Sequence, residues 1–220
     1  GEVLIHGLPP DRARGRLAYV PQKEDINWRF PLTAGEVVML GGVHKGKRLI
    51  KSSSNDRHFV DECLNRVGMW DMRNDLVSEL SGGQRQRVMI AMAMAWDPKV
   101  LIADEITSNL DVTLQADVLA RLKRLKTEKH SSIILITHDM GVIAQVADEV
   151  AVMYAGSVVE YGSTADLFRR PLHPYTWALL QSIPRLDDPS RRLEPIRGSS
   201  PDLIDLPDQC PYIPSCLLYT

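Results

Sequence analysis

Two adjacent carboxylates end a hydrophobic run near the middle of the chain. Residues 100–103 form a continuous apolar stretch of strand length, and Asp104 and Glu105 follow it directly. Such a stretch is typical of a strand in a parallel sheet that is covered on both faces, and ligands bind at the carboxyl ends of those strands. Asp104 could hold a hydrated Mg²⁺ while Glu105 faces a reacting water. For one such pair alone, helix capping or ion pairing with lysines is the commoner arrangement.

His138 and Gln22 occupy the same kind of position after two further predicted strands. A second apolar run covers residues 133–136 and leads to His138, and a short one at 17–20 leads through a proline to Gln22. An imidazole there could reach a terminal phosphate, and an amide could project toward a metal ion or a water. Either residue alone would more often be an ordinary loop residue.

A glycine-containing run at residues 80–88 has a layout suited to gripping a phosphate. Ser81 and Gln84 have the spacing of a capping box, which predicts a helix that begins just before an apolar run. Gly82 and Gly83 carry no side chains, so backbone N–H groups could approach an anion closely. The helix dipole adds a partial positive charge at the same point. From these residues alone, anion binding and an ordinary capped helix are equally good interpretations.

The remaining pattern alternates strands with helices. Asp111 is a candidate N-cap for a helix predicted at 112–128, which would join the two long apolar strands in a right-handed crossover. Other predicted elements are helices near 33–40, 56–67, 140–147 and 175–182 and a hairpin at 150–161. Residues 41–55 are predicted to form a loop with a solvated basic face, and contact with anionic lipid or a partner is the lesser interpretation. Its cations are Lys45, Lys47, Arg48 and Lys51.

Composition excludes several classes of protein. The chain has 220 residues, of which 44% are hydrophobic and 25% charged, and its net charge is −2. That charge argues against a general nucleic-acid binder. No apolar run approaches the ~18 residues that span a bilayer, and three cysteines make no secreted disulfide framework. Nine of the 14 prolines lie from Pro171 onward, which predicts an extension with little core of its own.

The order of these motifs resembles the ATP-binding subunit of ABC transporters. The matching segments are the Q-loop at 19–22, the signature at 80–84, the Walker B strand at 100–105, the D-loop at 108–111 and the switch region at 136–139. The resemblance implies an α/β fold, with a P-loop NTPase-like parallel-sheet core and an inserted helical subdomain. It implies that the core covers 1–22 and 98–170, the helical subdomain 23–97 and a C-terminal extension 171–220.

The resemblance also implies a role for each motif residue. Asp104 would coordinate Mg²⁺ through water, Glu105 would act as the general base, and His138 would contact the γ-phosphate. Gln22 would sense Mg²⁺ and link the catalytic site to the transmembrane partner. Asp111 would lie across a dimer interface. The signature residues would bind the ATP held by the opposite subunit: Ser81, Gly82, Gly83 and Gln84.

The chain departs from the family pattern at three places. It contains no G-x-x-x-x-G-K-[ST] phosphate loop. In the family this loop precedes the strand that residues 1–7 resemble, so we expect that it was lost with a missing N-terminus. We expect the 220-residue chain alone to bind ATP poorly and to be inactive. Ile106 stands where proline is usual, and Asn109 where alanine is common.

Two parts of the chain resemble importers of different cargo. From about Leu80 onward the chain is similar to the dipeptide/oligopeptide and nickel importer subfamily, whereas residues 19–41 resemble manganese/zinc importer ATPases. The peptide interpretation rests on more residues. Cys210 and Cys216 lie in a segment that carries an iron–sulfur site in some peptide-type relatives. Since such a site usually needs four thiolates, we predict free thiols.

The implied protein hydrolyses ATP at the cytoplasmic face of the cell membrane as a peripheral subunit. Its partners would be transmembrane permease subunits, a second ATPase subunit in a homo- or heterodimer and, indirectly, an extracytoplasmic substrate-binding protein, with no nucleic acid. The alternatives are a manganese/zinc ABC importer ATPase and a truncated, non-catalytic remnant. ABC-type ATPases that act on DNA are disfavoured, because they place a long coiled coil between segments that correspond to Gln22 and Ser81.

Overall fold

The chain divides into two units in the computed structural model, residues 1–138 and 139–220. The structure describes residues 4–5, 7–13, 16–22, 28–41, 54–95, 98–108, 110–129, 131–183, 196, 201 and 209–216. Within these ranges, no helix combines the length and the apolar character needed to cross a bilayer.

A three-stranded parallel sheet forms the centre of the first unit. Its strands are β1 (Leu17–Val20), β2 (Val100–Asp104) and β3 (Ser132–Ile136), in the order β1-β2-β3. Val20 pairs with Ala103, and Asp104 pairs with Ile136, so all three strands end at one edge. The structure therefore confirms the predicted parallel strands.

Helices make up the rest of the regular structure described in the first unit. They are α1 (Pro10–Ala13), α2 (Ala34–Leu40), α3 (Ser54–Arg66), α4 (Gly82–Met94) and α5 (Val112–Lys129), with a 3₁₀ turn at Trp70–Met72. α4 packs against α2, α3 and β1. Val38, Leu64 and Val88 are completely buried in this region. The helices predicted to begin at the two capping boxes, and the crossover helix, are confirmed.

One strand differs from the sequence-based expectation. In β2, Leu101 and Ala103 are fully buried, but in β3 Ile134 and Ile136 are 52% and 46% exposed. Exposure alternates along β3 with the two-residue period of a strand, so one of its faces is open in the described structure. The prediction that both apolar runs are covered on both faces is wrong for β3.

The second unit is built on an antiparallel hairpin. Its elements are α6 (Met140–Val146), β4 (Glu149–Tyr154), β5 (Ser157–Ser163), α7 (Thr164–Arg169), α8 (Pro174–Gln181) and a 3₁₀ turn at Ile213–Ser215. Ala155 and Gly156, which join the two strands, both have positive φ angles, as a two-residue hairpin turn of matching twist requires. Ile143, Val150 and Leu167 pack as its core. The hairpin and α8 confirm their predictions; α7 was not predicted.

The proline-rich extension packs on this hairpin unit through an aromatic side chain. Tyr212 is only 3% exposed, and its ring centroid lies 5.3 Å from those of Tyr154 and Tyr175. Neither Cys210 nor Cys216 forms a disulfide bond. The Sγ atom of Cys210 lies 3.7 Å from Nε2 of His173. The extension thus contributes to a shared core instead of forming its own.

Some predictions fall outside the described residues. The segment 1–7, which resembles a strand of the family, is described only in part, and there Ile5 forms an isolated bridge with Leu8. The basic loop, with Lys45, Lys47, Arg48 and Lys51, lies outside those ranges, as does Asn109.

Candidate functional site

The carboxyl edge of the parallel sheet gathers residues that are far apart in the sequence. Gln22 follows β1, Asp104 ends β2 with Glu105 next to it, and His138 lies two residues after β3. Because the strands are parallel and in register, these positions share one edge. The sequence predicted this juxtaposition, and the structure shows it directly for Glu105 and His138.

Glu105 and His138 form a hydrogen-bonded pair. Nδ1 of His138 lies 2.7 Å from Oε1 of Glu105, and the backbone N–H of His138 donates to the same oxygen at 3.2 Å. Because an ionised carboxylate only accepts hydrogen bonds, Nδ1 carries the proton in this contact. The Glu105 side chain is 18% exposed and that of His138 is 82% exposed. In this pair, the carboxylate is mostly buried and held by hydrogen bonds, and the imidazole is exposed to solvent.

The second oxygen of Glu105 is held by Ser108. The Ser108 hydroxyl donates to Oε2, and its backbone N–H donates to the Glu105 carbonyl at 3.1 Å. Glu105 itself has a φ angle of +47°, a conformation that side-chain-bearing residues rarely adopt. Its own N–H donates to the carbonyl of Ile136 on the next strand at 2.9 Å. The turn after β2 is thus tied to both β3 and Ser108.

These contacts set the protonation state of Glu105. Burial raises the pKa of its carboxyl, but the hydrogen bonds from Ser108 and His138, together with the charge of His138, lower it by more. The net pKa lies below the ordinary glutamate value. Glu105 is therefore ionised at neutral pH and can accept a proton or a hydrogen bond.

Asp104 is contacted by a residue that the sequence did not single out. The hydroxyl of Tyr19 donates to Oδ2 of Asp104 at 3.1 Å. Tyr19 pairs with Ile102 across β1 and β2, so it lies on the face from which Asp104 also projects. Only the strand register, which the sequence does not reveal, brings together residues that are 85 positions apart.

The oxygen donors at this edge fit a magnesium ion. Asp104 offers a carboxylate and the half-buried Gln22 an amide oxygen. Mg²⁺ in proteins commonly takes one or two such ligands and completes its shell with water and substrate phosphates. Among the described residues there is no cluster of three or more histidines, cysteines or carboxylates for a metal. Asp104 and Gln22 are therefore the oxygen donors at this edge that would hold a Mg²⁺.

The signature run begins α4 with a complete capping box. The Ser81 N–H donates to Oε1 of Gln84 at 2.7 Å, and the Gln84 N–H donates to Oγ of Ser81 at 3.4 Å. Nε2 of Gln84 also donates to the sulfur of Met72 at 3.1 Å. The helix begins as predicted. The amide of Gln84 is engaged within the chain, so its predicted contact with a nucleotide stays a prediction.

Gly83 has a packing role that the sequence did not show. A Cβ atom at this position would lie 2.9 Å from Cδ1 of Leu114 in the first turn of α5. Asp111 caps that turn, since its Oδ1 accepts from the Leu114 N–H at 2.9 Å. The N-cap role predicted for Asp111 is confirmed. The absence of a side chain at Gly83 therefore lets two helix N-termini approach each other.

Together, the parallel sheet and its edge residues define an α/β protein with the ABC ATPase fold. Residues 1–108 match the ABC transporter family, and residues 159–220 match the C-terminal region of oligopeptide/dipeptide transporters. Both matches agree with the resemblance that the motif order had indicated.

Two curated relatives show how far the likeness extends. The dipeptide transport ATP-binding protein DppD of Bacillus subtilis is 45% identical over 201 residues, which cover 87% of this chain and 60% of that protein. The oligopeptide transport ATP-binding protein OppD of Salmonella typhimurium is 45% identical over 186 residues, which cover 82% of this chain and 53% of that protein. The chain thus spans less than two thirds of the length of either relative.

A solved structure supports the fold. A metal-chelate type ABC transporter in an inward-facing conformation superposes with a TM-score of 0.65 at 24% identity, over 75% of this chain and 64% of that one. At this level of identity the likeness shows a shared fold alone.

Proposed function

We propose that this chain is the ATP-binding and ATP-hydrolysing part of an ABC importer subunit for dipeptides or oligopeptides. The observation that carries the proposal is the Glu105–His138 pair at the carboxyl edge of the parallel sheet. It joins an ionised carboxylate to an exposed imidazole in a chain whose two matched segments are both of transporter type.

The chemistry follows from the two side chains. Glu105 accepts the proton of a water as that water attacks the γ-phosphate of ATP. With the proton of His138 on Nδ1, its Nε2 is free to accept a hydrogen bond, while an imidazolium would donate one to a phosphate oxygen. Phosphoryl transfer needs mainly such positioning and electrostatic stabilisation.

Asp104 and Gln22 hold the magnesium ion in this proposal. When bound, Mg²⁺ neutralises charge on the ATP phosphates. Tyr19 donates to Oδ2 of Asp104, and the other carboxylate oxygen would face the hydrated metal ion. Gln22, at the end of β1, also links the site to the transmembrane partner.

The signature helix serves a neighbouring subunit in the proposal. Ser81, Gly82, Gly83 and Gln84 would face the triphosphate held by a second ATPase subunit, identical or related, with Asp111 at the same interface. α4 has 13 residues and no acidic side chain in its first turn, so its positive end is left unneutralised. The proposal includes a division of the chain into an ATPase core, a helical subdomain over 23–97 and an extension from 171. The two units of the structure meet between residues 138 and 139.

The proposed partners and location follow from the importer class. They are transmembrane permease subunits at the cytoplasmic face of the membrane and, indirectly, an extracytoplasmic substrate-binding protein. The relatives named for dipeptide and oligopeptide transport, and the match over 159–220, favour peptides as cargo. The manganese/zinc alternative rests on residues 19–41 alone.

The test uses this chain extended at its N-terminus by a segment that carries a phosphate loop. Glu105→Gln should reduce ATP turnover at least 100-fold, because the proton acceptor is lost, and should leave an ATP-bound dimer that size-exclusion chromatography can detect. Lys123→Gln, on the far part of α5, is the control and should turn over normally. Normal hydrolysis by Glu105→Gln would refute the assignment of the base. If Mn²⁺ or Zn²⁺ stimulated ATP turnover in a complex reconstituted with a permease and peptide did not, the assignment of peptides as cargo would be wrong.

A further inference from the structure

Ser108 contacts Glu105 through both its backbone and its side chain. Its N–H donates to the Glu105 carbonyl at 3.1 Å, and its hydroxyl donates to Oε2. The two residues between them, Ile106 and Thr107, are 2% and 5% exposed. The turn from Glu105 to Ser108 is therefore packed into the protein, and the serine hydroxyl is held in place beneath the carboxylate.

The two oxygens of Glu105 have different surroundings. Oε1 accepts from Nδ1 and from the backbone N–H of His138, and Oε2 accepts from Ser108. Without a donor at Oε2, the carboxylate could rotate about its last bond and leave Oε1 misaligned. The φ angle of +47° at Glu105 sets the direction in which its side chain leaves the backbone. The hydrogen bond from Ser108 then holds the carboxylate at the other end of the side chain.

We propose that Ser108 is a positioning residue, which holds the Glu105 carboxylate so that Oε1 stays beside His138 at the edge where water attacks. This inference rests on the proposed function, since it assumes that Glu105 is the base. The resemblance to transporter ATPases places residue 108 in a segment at a subunit interface, and the contacts assign its hydroxyl a role within its own chain.

The experiment measures ATP turnover in the N-terminally extended chain. Ser108→Ala should lower kcat about tenfold to a hundredfold, the loss expected when a catalytic group is misplaced by roughly an ångström. KM for ATP should stay within about twofold, because Ser108 does not contact the nucleotide in this proposal. Ser108→Thr keeps the hydroxyl and should restore most of kcat, which separates positioning from a general loss of structure.

Ser131→Ala is the matched control. Its hydroxyl donates to the Pro98 carbonyl at 2.6 Å and is buried, whereas Ser108 is half-buried, and it lies at the amino edge of the sheet. This variant loses a comparable hydrogen bond and should keep kcat. A drop as large as that of Ser108→Ala would show that any lost serine contact has the same effect and would overturn the inference.

A double variant separates this inference from the proposed function. In the Glu105→Gln background, adding Ser108→Ala should change neither residual turnover nor the ATP-bound dimer. If Ser108→Ala alone keeps normal kcat while Glu105→Gln is inactive, the positioning role is wrong and the proposed function stands. Loss of the dimer in the double variant would place Ser108 at the subunit interface instead. If Glu105→Gln hydrolyses ATP normally, the proposed function itself fails.

Discussion

Two helices of the first unit begin with the same capping box and differ in charge. At α2, Thr33 pairs with Glu36, whose Oε2 accepts from the Thr33 N–H at 2.8 Å. At α4, Ser81 pairs with the neutral Gln84, whose Oε1 accepts from the Ser81 N–H at 2.7 Å. The first helix neutralises its own positive end with a carboxylate. The second satisfies the same backbone donor without adding charge and so leaves that end open to an anion.

Making α4 resemble α2 should have the largest effect on function. Gln84→Glu preserves the capping box, but it places a negative charge where a triphosphate is proposed to bind. Two like charges several ångströms apart near a protein surface repel each other by about 2 kcal/mol. ATP-driven dimer formation in the extended chain should therefore weaken about tenfold or more. Titration with ATP, followed by light scattering, measures this change.

The reverse substitution at α2 provides the comparison. Glu36→Gln removes a charge from a helix that has no proposed nucleotide contact, so ATP-driven dimer formation should stay the same. Equal weakening by both variants would show a nonspecific effect of the capping boxes. Unchanged dimer formation by Gln84→Glu would show that the signature helix does not face phosphate.

A substitution at Gly83 tests whether α4 begins with a glycine because it packs closely against Leu114 or because it binds an anion. Gly83→Ala should lower the free energy of unfolding by less than about 1 kcal/mol, because the added Cβ would lie 2.9 Å from Cδ1 of Leu114, while the higher helix propensity of alanine offsets part of that cost. Urea denaturation of the 220-residue chain measures the loss. In a Leu114→Ala background the same substitution should no longer destabilise. If the loss persisted there, the close approach to Leu114 would not be its cause.

The capping boxes and the edge residues could be predicted because their signals are local. Ser81 and Gln84 are three positions apart, and each of the residues Asp104, Glu105 and His138 follows an apolar run of strand length. A parallel sheet then brings the strand ends together without any knowledge of side-chain contacts. The element types and the shared edge therefore follow from spacing and hydrophobic pattern.

The contacts that complete the site could not be predicted in this way. The Tyr19–Asp104 hydrogen bond depends on the pairing of β1 with β2, and the approach of Gly83 to Leu114 depends on how two helices pack. Ser108 lies only three residues from Glu105, but a serine at that spacing has no distinctive pattern. The open face of β3 was missed because a continuous apolar run does not reveal which face is covered.

The smallest expected effect is a pH dependence at the start of α2, which the start of α4 should lack. The backbone N–H of Thr33, and then its hydroxyl, lower the pKa of Glu36, while burial raises it slightly. A lowered pKa in the folded state gives stability that is present above the unfolded value and is lost as pH falls through the folded one. Glu36→Gln should therefore be less stable than the native chain at pH 7, and the difference should shrink below about pH 4.5.

α4 supplies the opposite case for the same measurement. With Gln84 in place, its capping box has no group that titrates in acid, so Ser81→Ala should cost about 1 kcal/mol at every pH in urea denaturation. Thr33→Ala should cost more at pH 7 than at pH 4, because it also removes the hydroxyl donor to Glu36. If both alanine variants showed the same pH dependence, the charge of Glu36 would not distinguish the two helix starts.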